Sequence, residues 1–104
     1  MTSYRLSKLA DQDLADILRY TIQTWGMKQG ASYLQLLTAA RNHIIINPFL
    51  VGSKSREDLA RNCRAFRAAK HVIFYRVNRD TLEIARILHE SMDFSRHVGE
   101  ETFP

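Results

Sequence analysis

Apolar residues along the chain recur first at helical spacing and then at strand spacing. Leu14, Ile17, Leu18, Thr21, Ile22 and Trp25 return every three or four residues, which puts them on one face of a helix. Ser7 stands just ahead, where an N-cap accepts a backbone N–H of the first turn. Asp11 and Asp13 follow near the positive end of that helix. Gly26 predicts its end, because glycine tolerates the positive φ common at helix C-termini. A second stripe restarts at once through Ala31, Leu34, Leu37, Thr38, Arg41, Ile44 and Ile45. Asn47-Pro48 closes it, since the proline ring disfavours helical geometry in the preceding residue. Two long helices with so short a link must fold back as an antiparallel hairpin.

The remainder has strand character. Tyr4-Arg5-Leu6 is a short alternating run ahead of the first helix. Residues 48–62 predict a loop with one turn of helix at Glu57–Ala60. Three strand-like runs follow: Cys63–Ala68, then the β-branched and aromatic His71–Val77, then Thr81–Leu88 after a tight turn at Asn78-Arg79-Asp80. Their short connections predict an antiparallel meander. The order β-α-α-β-β-β predicts an α+β fold: an antiparallel helical hairpin packed on a small, mainly antiparallel sheet, with a short C-terminal helix. With 104 residues, one domain over 1–104 is expected.

Composition adds little to that picture. The chain is 45% hydrophobic and 25% charged, which is ordinary for a globular domain and excludes a disordered or low-complexity chain. No run approaches the roughly 20 apolar residues of a membrane-spanning helix. The start of the chain has no apolar core of signal-peptide type. A single cysteine, Cys63, cannot form an internal disulfide and reads as a small buried residue. A cytoplasmic setting is therefore expected.

Charge changes the picture more. The net charge of +4 favours an acidic partner, nucleic acid or protein. Residues 54–86 hold nine Lys or Arg against four Asp or Glu, whereas residues 87–104 hold one against four. Arg61, Arg64, Arg67, Lys70, Arg76, Arg79 and Arg86 fall in or beside the strands, with Phe66, Phe74 and Tyr75 among them. Such a face can grip a phosphate backbone, or can simply be solvated. Arg76 and Arg86 lie mid-pattern where an apolar residue would be cheaper, so each is expected to meet a partner.

Two further clusters suggest chemistry. His89, Asp93 and His97 are four apart, the spacing of a metal-binding helix face. Three ligands from one short terminal helix make a poorly supported site, so no metal is expected; a turn with His89 bonded back to the sheet is. Leu6, Leu9, Ile22, Trp25, Met27 and Tyr33 offer more apolar surface than the hairpin needs. They are either core or a groove for a peptide.

An ordered set of residues from about residue 3 to residue 98 resembles the ParE-type toxins of the RelE/ParE superfamily of bacterial toxin–antitoxin pairs. The set is Tyr4-Arg5-Leu6-Ser7, Ala10, Asp13-Leu14, Ile17, Tyr20-Thr21, Trp25-Gly26, Gln29, Asn47-Pro48, Cys63-Arg64, His71 to Val77, Arg86 to His89 and Met92-Asp93. The resemblance implies the fold derived above. It also implies a gyrase poison acting by binding, neutralised by a ParD-type antitoxin whose C-terminal segment folds onto the toxin.

RelE-like members instead cleave messenger RNA on the ribosome. The positions matching their phosphate-holding arginine and terminal tyrosine are Val72 and Phe94 here. Neither can hold a phosphate or move a proton, so no catalytic residue and no cofactor are expected, and His89 is expected to lack acid–base partners. The stretch Arg86–Phe94 then reads as a structural closure and recognition edge. Expected target contacts are Arg64, Arg67, Arg76, Arg86, His89 and Met92. Expected antitoxin contacts are Leu18, Ile22, Trp25, Tyr33 and Leu37. A RelE-like endoribonuclease and a non-toxic nucleic-acid-binding module are the alternatives.

Overall fold

The computed structural model describes residues 3–104. Strand β1 (Ser3–Leu6) leads into helices α1 (Lys8–Trp25) and α2 (Met27–Ile46). Then come the short β2 (Lys54–Ser55), β3 (Arg64–Ala68), β4 (His71–Asn78) and β5 (Thr81–His89). Two 3-10 turns, Phe94–Arg96 and Glu100–Thr102, stand where a short C-terminal helix was expected.

The expected helix signals act as read. The Ser7 hydroxyl accepts the Ala10 N–H at 2.9 Å and donates to the Ala85 carbonyl at 2.6 Å, so one buried group caps α1 and ties it to β5. Gly26, with φ of 97°, ends α1 and starts α2. The hairpin closes tightly at Gly30, which is buried; a Cβ there would lie 2.6 Å from Ile22 Cγ1. Leu37 and Ile44 of the expected inner stripe are buried, together with Gly30 and Ala40, whereas Ala31 is exposed.

The sheet order is β1-β5-β4-β3-β2. β3, β4 and β5 form the expected antiparallel meander. β1 pairs with β5 in parallel, Tyr4 opposite Leu82 and Leu6 opposite Ile84. β2 falls inside the expected loop and pairs with only Arg64 and Ala65 of β3.

Both faces of the sheet are covered. Ile73, Tyr75, Leu82, Ile84 and Ile87 pack with Leu37, Ala40 and Ile44 beneath the hairpin. Phe74, Ala85 and Leu88 pack on the other side with Cys63, Val98 and Phe103, so the C-terminal turns form a second lid. An irregularity in the β4–β5 register at Phe74/Tyr75 shifts the facing of β5. Leu82 and Ile84 before it, and Ile87 after it, all reach the hairpin side. That double coverage is why β4 and β5 read as nearly continuous apolar runs.

Candidate functional site

Arg76 and Arg86 both meet partners within the fold. Arg86 Nε and Nη2 donate to the two Asp13 carboxylate oxygens at 2.8 Å each, and Ile87 N–H donates to Asp13 Oδ2 at 3.0 Å. Asp13, expected to serve the helix dipole, thus serves β5. The hydrogen bonds to Asp13 hold the Arg86 guanidinium above its ordinary pKa. Arg76 donates to Glu83 at 3.1 Å and to Glu100 at 2.8 Å, and lies 4.1 Å from the Phe103 ring centroid. Glu83 is 3% exposed and also accepts from Asn78 Nδ2. Glu100 accepts the Arg61 N–H as well. Arg76 therefore clasps the C-terminal lid to the sheet.

Arg64 is likewise engaged. It donates to the Ser53 hydroxyl at 2.7 Å and the Ser53 carbonyl at 3.1 Å, and its guanidinium lies 4.9 Å from the centroid of Phe49. Ser53 in turn donates to Tyr75 Oη, and Tyr75 donates to the Pro48 carbonyl, each at 2.5 Å. This relay pins the loop after α2 to the sheet. Of the four arginines expected to meet a target, only Arg67 stands mostly exposed, paired with Glu90. Met92 is exposed beside it in sequence, and His89 is half-buried at the end of β5.

The hairpin residues divide in the same way. Leu37, expected among the antitoxin contacts, is 4% exposed and packs in the core between the hairpin and the sheet. Leu18, Ile22 and Tyr33 are half-buried along the seam between α1 and α2. Trp25 is 69% exposed, and its neighbour in the fold Tyr20 is 65% exposed.

An open cleft of about 480 Å³ joins these two regions. Tyr20 and Trp25 of α1 and Tyr33 of α2 line one side; Lys70, His71 and His89 line the other. Tyr33 Oη accepts the Lys70 N–H at 3.3 Å and lies 2.5 Å from His71 Nδ1. Burial, and then the nearby His89, push the His71 pKa down, whereas burial pushes Tyr33 up. The His71 and His89 rings meet edge to face with centroids 5.3 Å apart, because the two residues are register partners on β4 and β5.

His89 was expected to lack acid–base partners and to bond back to the sheet. Instead it touches His71, and its Nδ1 lies 2.7 Å from the Ser91 hydroxyl, two residues onward. The sequence marks Lys70 only as one of several basic residues in or beside the strands and His71 only as the start of one. Their meeting with His89 depends on the β4–β5 register, for which single residues carry no signal.

His89, Asp93 and His97 share no helix: His89 ends β5, Asp93 caps the first 3-10 turn, and His97 follows it. Among the described residues, no group of three His, Cys, Asp or Glu side chains is placed to hold a metal. Val72 and Phe94 pack against the second core cluster, where Phe94 meets Phe74 at 4.8 Å between ring centroids. No helix among the described residues is long and apolar enough to cross a membrane.

Comparison with known proteins agrees with this architecture. A family model described as "ParE toxin of type II toxin-antitoxin system, parDE" matches residues 4–94. Toxin ParE1 of Caulobacter vibrioides is 39% identical over 99 residues, covering 95% of this chain and all of that relative. Toxin ParE of Escherichia coli is 34% identical over 104 residues, covering 96% of each chain. A solved chain described as "Chromosomal ParDE TA system from P. aeruginosa" superposes with a TM-score of 0.69 at 17% identity, covering 86% of this chain and 96% of that one. That likeness concerns the fold alone. With a match that runs from β1 to the first C-terminal turn, and with relatives aligned end to end, the chain belongs to the ParE toxins of type II toxin–antitoxin systems.

Proposed function

We propose that this toxin acts by binding DNA gyrase and stalling replication, without chemistry of its own, and that a cognate ParD-type antitoxin neutralises it in the cytoplasm. One observation carries the non-catalytic part. Arg76 and Arg86, the two arginines of β4 and β5, are engaged within the fold, Arg86 by Asp13 and Arg76 by Glu83 and Glu100, so neither is left free to hold a phosphate. Target contact then falls to Arg67 of β3, paired with Glu90, and to His89 and Met92 at and just beyond the end of β5. Arg64, Arg76 and Arg86 are engaged by Ser53, by Glu83 and Glu100, and by Asp13.

The antitoxin reading rests on the hairpin. Trp25 is exposed beside the seam formed by Leu18, Ile22 and Tyr33. A segment disordered on its own gains order by covering that seam, and acidic residues in it would suit a toxin of net charge +4, giving a hetero-oligomer.

The pairing of His71 with His89 favours one second reading, a RelE-like ribosome-dependent endoribonuclease, because two imidazoles can share acid and base roles. A gyrase supercoiling assay run beside a translation-coupled mRNA cleavage assay separates the two. Accumulated cleaved DNA with intact mRNA supports the gyrase reading. Severed mRNA with unimpaired gyrase overturns it.

A further inference from the structure

The cleft beside Trp25 shares Trp25 and Tyr33 with the proposed antitoxin surface and His89 with the proposed target surface, but its chemistry goes beyond what either contact requires. Its walls are aromatic on one side and nitrogen-bearing on the other. Its volume of about 480 Å³ falls within the range of small-ligand pockets, roughly 300–1,000 Å³. No carboxylate lines it. The two acidic residues that influence His71 from nearby are already taken: Glu90 pairs with Arg67, and Asp13 with Arg86. Among the described residues Lys70 is in no ion pair, so its ammonium is the cation the cleft can offer an incoming anion.

The ring faces are open as well. Tyr20 and Trp25 are mostly exposed, on consecutive turns of α1. An exposed tryptophan beside an unpaired lysine offers a stacking surface and a counter-charge to one ligand. A planar, π-rich group carrying a single anionic phosphate combines the two features in one small unit. An extended peptide would instead need a free sheet edge or a long apolar groove, and the cleft is neither.

We propose that this cleft binds one nucleotide unit of a single-stranded nucleic acid, with the base against Trp25 and Tyr20 and the phosphate at Lys70. Tyr33 and His71, joined at 2.5 Å, fix the shape of the cleft between the two walls. The proposal stands whether or not gyrase is the target, because it concerns the toxin alone.

The chain has a single tryptophan, so the site carries its own reporter. The full-length toxin is titrated with dAMP, AMP, and short oligo-dA and oligo-rA, with inorganic phosphate and an acidic peptide as comparators. Saturable quenching of Trp25 emission by the nucleotides, absent with phosphate, is expected. The ratio of the DNA and RNA affinities identifies which nucleic acid the site prefers. Binding should weaken with salt as expected for about one phosphate contact.

Anisotropy of a labelled oligonucleotide then tests the residues without relying on the reporter. Trp25→Ala is expected to weaken binding roughly tenfold, and Lys70→Ala to weaken it and flatten the salt dependence. Both side chains are at the surface, and circular dichroism checks that the fold is kept. Absence of binding by every nucleotide, equal affinity in both variants, or saturable binding of the acidic peptide alone overturns the proposal.

Discussion

Arg86 and Asp13 form a two-pronged ion pair, 2.8 Å at each prong, that joins the last strand to the first helix across 73 residues of sequence. Both side chains are largely buried, 14% and 13% exposed. Removing one partner strands the other as an uncompensated charge. Arg86→Ala is therefore expected to destabilise the fold by about 3–5 kcal/mol. Arg86→Lys should recover only part of this, because a point charge cannot match both oxygens. Urea denaturation of the three proteins measures it, and a loss below about 1 kcal/mol for the alanine variant would show that the pair is not a structural tie.

Gly30 tests how closely the hairpin packs. In an exposed helix, alanine in place of glycine gains about 1 kcal/mol. Here the new Cβ would meet Ile22 Cγ1 at 2.6 Å, an atom close to the α1 backbone that cannot swing away freely. Gly30→Ala is expected to lose about 1–2 kcal/mol net through overpacking. The double variant Gly30→Ala/Ile22→Ala, which removes that atom, should show strong non-additivity in thermal melts. Simple additivity would mean that the helices separate easily.

His71 gives the fold a pH dependence of definite sign. Its pKa is lowered in the folded state by burial and then by His89. The folded protein therefore binds fewer protons at this site than the unfolded chain does. The contribution is present above the unfolded histidine pKa, about 6.5, and is lost as pH falls through the folded value. Stability should drop between roughly pH 7 and pH 5. His71→Asn should be less stable at pH 7 but show a shallower slope over that window. Chemical denaturation at stepped pH provides the comparison; identical slopes would exclude His71 as the cause.

His89 separates binding from chemistry. If the toxin acts by binding, His89→Gln should leave growth inhibition largely intact, since glutamine keeps the side chain's size and polarity. If His71 and His89 exchange protons with a substrate, the same change should reduce activity by two orders of magnitude or more. Killing lost with an unchanged fold and unchanged antitoxin affinity would point to catalysis.

Local signals carried much of this architecture. Ser7, Gly26 and Asn47-Pro48 mark the ends of the helices because capping and backbone restriction act within a few residues. The strands announce themselves through β-branched and aromatic runs. The features that decide the surface are not local. Nothing near Arg86 in sequence points to Asp13, and nothing near Arg76 points to Glu100. The parallel pairing of β1 with β5 and the C-terminal lid are likewise products of topology. Arg76 and Arg86 are expected from the pattern to meet a partner, but the pattern does not say whether that partner is internal, and Leu37 reads as available to an antitoxin. The cleft was hidden for the same reason, since His71 and His89 become neighbours only once the register is known.

The place of β1 in the sheet bears on when the toxin comes into being. Its only sheet neighbour is β5, and the hydroxyl that starts α1 is anchored on Ala85. A nascent chain thus makes β1 and the hairpin before the strands that cover them, and carries the hairpin without a floor until β5 has been translated. Until then β1 has no strand to pair with and Ser7 no carbonyl to bind, so the toxin fold closes only once β5 has been made.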